Sequence, residues 1–122
     1  MLTGKCKEAF EKWLSDSRKI AFGIANHNGE GGALYYMADL FDGLDFSCQY
    51  GVIVDFFDSV GIKIEIQVRI EPTMQGSRFR FFRPELLYKG RFYNVGASFG
   101  ERGKSRKAAI EKANEIYNEN NI

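Results

Sequence analysis

The feature that most constrains this chain is a change of hydrophobic period at Gly61. Before it, Tyr50, Val52, Ile53, Val54, Phe56, Phe57 and Val60 cover most of a helical circumference. After it, Ile62, Ile64, Ile66, Val68 and Ile70 alternate strictly with Lys63, Glu65, Gln67, Arg69 and Glu71. A repeat of 3.6 followed by a repeat of 2 predicts a helix over 46–60 running into a half-buried strand. Asp45 or Ser47 can cap that helix, and Gly61 stands where a left-handed cap closes one. One apolar strand face needs a layer to cover it.

The same reading extends along the chain. Phe10, Trp13 and Leu14 predict a helix over 5–14, capped by Thr3 or Gly4. The stretch 25–32 is a loop by composition, and Leu34, Met37, Ala38 and Phe41 mark a short helix over 33–41 ended by Gly43. A second strand starts at Arg78, puts Phe79 and Phe81 on one face and Arg78, Arg80 and Phe82 on the other, and stops at Pro84. Tyr88-Lys89-Gly90-Arg91 is a tight hairpin turn into a third strand ending near Ser98. Ser105 caps a closing helix to about Asn118, with Ala109, Ala113, Ile116 and Tyr117 as its apolar stripe. The expected fold is α+β: three helices, a three-stranded antiparallel meander and a last helix, in two layers, with residues 1–122 as one domain. Ile64, Ile66 and Val68 are expected to pack against Phe56, Phe57 and Trp13.

No run of 18 apolar residues exists, so no membrane span is expected. Cys6 and Cys48 are too few for a disulfide framework; they read as packing residues in a reduced, cytoplasmic setting. The formal net charge of +1 hides an asymmetry. Residues 1–60 carry five Lys/Arg against nine Asp/Glu, and residues 61–122 carry twelve against seven. Either the halves complement each other inside the fold, or the basic half meets an anionic partner.

Two features favour the partner. Arg78-Phe79-Arg80-Phe81-Phe82-Arg83 interleaves cations with rings, which suits single-stranded nucleic acid if Phe82 stacks on a base. The competing reading puts Phe79 and Phe81 in the core and pairs the arginines with acids. Arg102, Lys104, Arg106 and Lys107 surround the start of the last helix, where cations oppose the macrodipole unless an anion completes the site. Their alternative partners are Asp39, Asp42 and Asp45. The candidate nucleic-acid site is therefore Arg78, Arg80, Phe82, Arg102, Lys104, Arg106 and Lys107.

Catalytic and metal sites find little support. Gly103-Lys104-Ser105 lacks the P-loop's first glycine, since Ser98 holds that position. His27 stands alone in its loop. Asp42 with Asp45, and Asp55 with Asp58, read as solvated helix faces. No catalytic residue, cofactor or metal ligand is assigned. The expectation is a non-enzymatic binding protein whose first partner is RNA or DNA. The alternative is an inhibitor or adaptor of a host protein, acting through the acidic half.

Two resemblances add a setting. The blocks Leu2-Thr3-Gly4-Lys5-Cys6-Lys7-Glu8 to Trp13-Leu14, Gln49-Tyr50-Gly51-Val52 to Ile62 and Ala108-Ala109-Ile110 to Asn118 resemble parts of a group of short proteins from phages and mobile elements of gut bacteria. That group has no assigned activity, so the resemblance implies a setting and no functional residue. Gly100 to Ala109, after three antiparallel strands, is similar to the turn and helix start of a double-stranded-RNA-binding domain. The loop 72–76 departs from that pattern, lacking its Gly-Pro-x-His signature.

Overall fold

The computed structural model describes residues 1–16, 20–22, 34–72, 74–96 and 98–120. The loop read over 25–32, with His27, lies outside them. The fold is α+β. Helix α1 (Gly4–Asp16) is followed by a two-stranded antiparallel pair, β1 (Ile20–Phe22) with β2 (Leu34–Tyr36), and by a four-residue helix α2 (Met37–Leu40). A 3-10 turn over Phe41–Gly43 leads into α3 (Phe46–Ser59). The helix expected over 33–41 is thus shorter at its start, because residues 34–36 pair with 20–22 as a strand. Next come β3 (Ile62–Pro72), β4 (Arg78–Tyr88), β5 (Arg91–Asn94) and α4 (Arg102–Asn120).

Local chemistry sets these boundaries. The Asp45 carboxylate accepts the Cys48 N–H at 2.9 Å, satisfying a first-turn donor of α3. Gly61, at φ +87°, turns the chain from helix to strand. Lys89 and Gly90 both hold positive φ, as the two-residue turn between β4 and β5 requires. The N-terminus of α1 is capped from a distance. Asn118 of α4 accepts the Cys6 N–H at 2.9 Å and donates to the Thr3 carbonyl at 3.1 Å, while Asn114 accepts from the Thr3 N–H at 2.9 Å. Neither Thr3 nor Gly4 supplies the capping side chain.

The sheet order is β3-β4-β5, all antiparallel. Ile62 faces Tyr88, Ile64 faces Leu86, Val68 faces Phe82 and Ile70 faces Arg80. Opposed residues share a face, so the even-numbered side chains of both strands look toward the helices. Ile62, Pro84, Leu86 and Tyr88 are buried there with Phe10, Phe56 and Phe57. The parity read for β4 is the reverse of a core built on Phe79 and Phe81. Phe82 is in the core and only 7% exposed, whereas Phe79, on the outer face, is 53% exposed.

Pro84 does not end β4. Phe82 donates to the Phe99 carbonyl at 2.7 Å and accepts the Phe99 N–H at 2.9 Å, on the β5 side of the strand. Pro84, two residues on, looks the same way, at the point where the chain leaves the ladder between Asn94 and Phe99. A residue without an N–H loses no ladder bond there. Ser105 is likewise not a cap. It lies within α4, buried, with its hydroxyl oxygen unpartnered.

The hairpin of β3 and β4 outruns its cover. Eleven strand residues span about 35 Å, whereas the fourteen residues of α3 span about 21 Å. Beyond the helices the apolar face opens: Val68 is 49% exposed and Ile70 58%. Val68 therefore does not pack in the core as expected, while Ile64 does. The last four residue steps, roughly 13 Å, form a two-stranded arm exposed on both faces.

Candidate nucleic-acid interface

The seven candidate residues fall into two groups. Arg78 and Arg80 extend from the arm on the helix-side face, exposed and without an ion-pair partner among the described residues. Phe82 follows on the same face, and the Arg102 guanidinium lies 5.2 Å from its ring centroid. Arg102 opens α4, so the positive end of that helix, Lys104 in its first turn, and the base of the arm lie together. Lys104 meets Glu101 at 3.9 Å with both side chains well exposed, a contact worth little in water.

Arg106 and Lys107 turn elsewhere. The Arg106 guanidinium sits 5.0 Å from the Tyr50 ring centroid and donates to Ser47 Oγ at 3.2 Å. The Lys107 ammonium is 5.6 Å from the Phe46 ring. Both cations hold α4 against the start of α3 through aromatic faces, an attraction of about 0.5–1 kcal/mol each at exposed sites. Burial pushes the Tyr50 hydroxyl above its ordinary pKa, with the Arg106 charge opposing.

Three expectations need correction. Phe82 is not a stacking platform, because its ring is buried and one face is taken by Arg102. Arg106 and Lys107 are drawn to the start of α3 rather than to Phe82. Cys48 is exposed rather than packed, and its hydrogen bond with Asp45 raises its thiol pKa. Cys6 is buried as read.

The acidic residues offered as alternative partners do not take these cations. Among the described residues, no ion pair joins Asp39, Asp42 or Asp45 to Arg78, Arg80, Arg102, Lys104, Arg106 or Lys107. The outer sheet face carries rings that the parity argument had assigned to the core. Phe79 and Phe81 stack there with centroids 5.3 Å apart, beside Arg69 and Arg83. Extending the alternation past Pro84, through Leu86 and Tyr88, is the signal that would have found this.

Among the described residues, no group of three or more His, Cys, Asp or Glu side chains comes together as metal ligands. Nor is any described helix long and apolar enough to cross a membrane. No family model matches the chain, and searches of curated proteins and of solved structures find nothing similar to it.

Proposed function

We propose that the protein is a non-enzymatic, cytoplasmic accessory protein of a phage or mobile element that binds nucleic acid. The interface is the basic end formed by Arg78, Arg80, Arg102 and Lys104. One observation carries this reading: Arg78 and Arg80 stand exposed, and unpaired among the described residues, on a projecting arm at the end of the molecule where α4 begins. Evenly spaced arginines on a two-stranded ribbon suit phosphates along a groove or strand, and the helix start adds N–H donors of the same sign. Phe82 then serves by holding Arg102, and the contacts are to the backbone rather than to bases.

The test is fluorescence anisotropy with a labelled oligonucleotide, single-stranded and duplex, across a salt series. Four phosphate contacts give a log–log slope near −3 on a single strand and about −3.6 on a duplex. The double charge reversal Arg80→Glu with Lys104→Glu abolishes binding and leaves the melting temperature almost unchanged, as for exposed sites. Absence of binding at about 50 mM salt, where such contacts are strongest, overturns the proposal. The protein-partner reading then takes its place, on Asp39 and Asp42, which are exposed and have no ion-pair partner among the described residues.

A further inference from the structure

Among the described residues, the outer edge of β3 is open. No described strand pairs with it, although it is eleven residues long and carries no bulge. Its main-chain groups follow from the pairing of β4. Phe82 sends both its N–H and its carbonyl to Phe99, away from β3, so the residues opposite the even positions of β4 also point away from the ladder. Ile64, Ile66, Val68 and Ile70 thus present free N–H and C=O groups along the open edge. Of the devices by which natural sheets protect such an edge, β3 carries charged side chains on its outer face but no proline, bulge or inward-pointing charge before Pro72.

The sequence of this edge is complementary to itself. Set antiparallel to a second copy about a two-fold axis at Gln67, Lys63 faces Glu71 of the other copy and Glu65 faces Arg69. On the helix side, Ile64 faces Ile70 and Ile66 faces Val68. Every charged pair is of opposite sign and every inner pair is apolar. Neighbouring registers fail. Moving the axis to Ile66 sets Lys63 against Arg69, and moving it to Val68 sets Glu65 against Glu71. A slip of one residue places isoleucines opposite charges.

Two observations within the chain point the same way. Val68 and Ile70 are half-exposed apolar residues with no cover of their own, and this register lays them beside Ile66 and Ile64 of the second copy. Glu65 directly faces Glu85 across the β3–β4 ladder, and among the described residues neither has an ion-pair partner. Like charges in that position are unfavourable. Gln67 donates to Glu85 at 2.8 Å, and among the described residues Arg69 reaches only Gln67, at 3.3 Å. In the paired register a second copy's Arg69 arrives opposite Glu65.

We infer that the occupant of this edge is a second copy of the chain, pairing β3 to β3 about a two-fold axis at Gln67 into a continuous six-stranded sheet. Sedimentation velocity and light scattering test it over a wide concentration range. The wild type is expected to reach twice its 13.9 kDa mass. Arg69→Glu alone and Glu65→Arg alone each place like charges in both symmetry-related pairs and are expected to be monomers. Mixing those two variants is expected to restore a one-to-one dimer, because every charge at positions 65 and 69 then meets one of opposite sign across the axis. Val68→Pro removes an outward N–H while sparing the β3–β4 ladder, and is expected to give a monomer with an unchanged circular dichroism spectrum. A monomeric wild type, a single charge variant that still dimerises, or folded variants that fail to recombine would each overturn the inference.

Discussion

Replacing Asn118 with Ala tests how the N-terminus of α1 is held. One side chain on α4 makes two bonds to α1: Cys6 N–H to Asn118 Oδ1 at 2.9 Å, and Asn118 Nδ2 to the Thr3 carbonyl at 3.1 Å. A neutral hydrogen bond contributes about 0.5–1.5 kcal/mol net, and more when its loss strands a buried partner. Thr3 is exposed, so water can replace Asn118 at its carbonyl. Cys6 is fully buried, so its N–H is less easily rehydrated, and most of the loss falls there. The expected destabilisation is about 1.5–2.5 kcal/mol, which lowers the melting temperature by roughly 5–10 °C at this chain length. Trp13, the only tryptophan, lies on α1 with its ring 5.6 Å from Phe56, so its fluorescence reports α1 while far-ultraviolet circular dichroism reports the whole chain. Urea transitions by the two probes should shift together. Asn120→Ala is the control, since among the described residues Asn120 bonds only the Ile116 carbonyl of its own helix. Asn118→Asp keeps an acceptor for Cys6 and puts negative charge at a helix start, so it should lose less than Ala. The reasoning fails if Asn118→Ala costs under about 0.5 kcal/mol, the low end for one bond, or no more than Asn120→Ala.

Phe56 is almost fully buried among the rings of Phe10, Trp13, Phe57 and Tyr117, and Phe56→Ala should cost about 3–5 kcal/mol in the same urea titration. Thiol labelling at pH 8 should modify Cys48 in the native protein and Cys6 only after denaturation, because burial pushes the Cys6 thiol up to about 12. That shift has a sign for stability: the folded state keeps a proton that the unfolded state releases above its ordinary value of 9.0. The contribution is full below pH 9 and is lost as pH rises toward 12, so Cys6→Ala should flatten the alkaline fall in urea midpoint.

Elements whose own residues decide them were readable in the sequence. The residues 46–60 and 62–70 change period at a glycine, and the Lys89-Gly90 turn needs only local backbone chemistry. Elements decided by a distant partner were not. Residues 34–36 carry a helical stripe with 37–41, yet they pair as a strand with 20–22. The cap of α1 comes from Asn118, more than a hundred residues away, and no pattern around Thr3 announces it. Ser105 has the composition of a cap and lies inside the helix, because Arg102 begins it one turn earlier.

The candidate site shows the same division at finer scale. The charge asymmetry led to Arg102, which lies on the ring of Phe82 at the base of the arm that carries Arg78 and Arg80. It led equally to Arg106 and Lys107, which the rings of Tyr50 and Phe46 draw to the other helix. Phe82 belongs to an alternation that runs through Pro84 to Tyr88, because a proline ends a strand only where its missing N–H would have been bonded. Alternation also says which face of a strand is apolar and not how far that face is covered. Ile62 and Ile70 belong to one unbroken pattern, yet the first is buried and the second is 58% exposed. A strand advances more than twice as far per residue as a helix, so a long strand can outrun the helices packed on it and leave apolar surface over. In β3 that surplus lies on an open edge whose charges match their own reversal. The pattern that builds the core at one end of the strand is the pattern that would join two chains at the other.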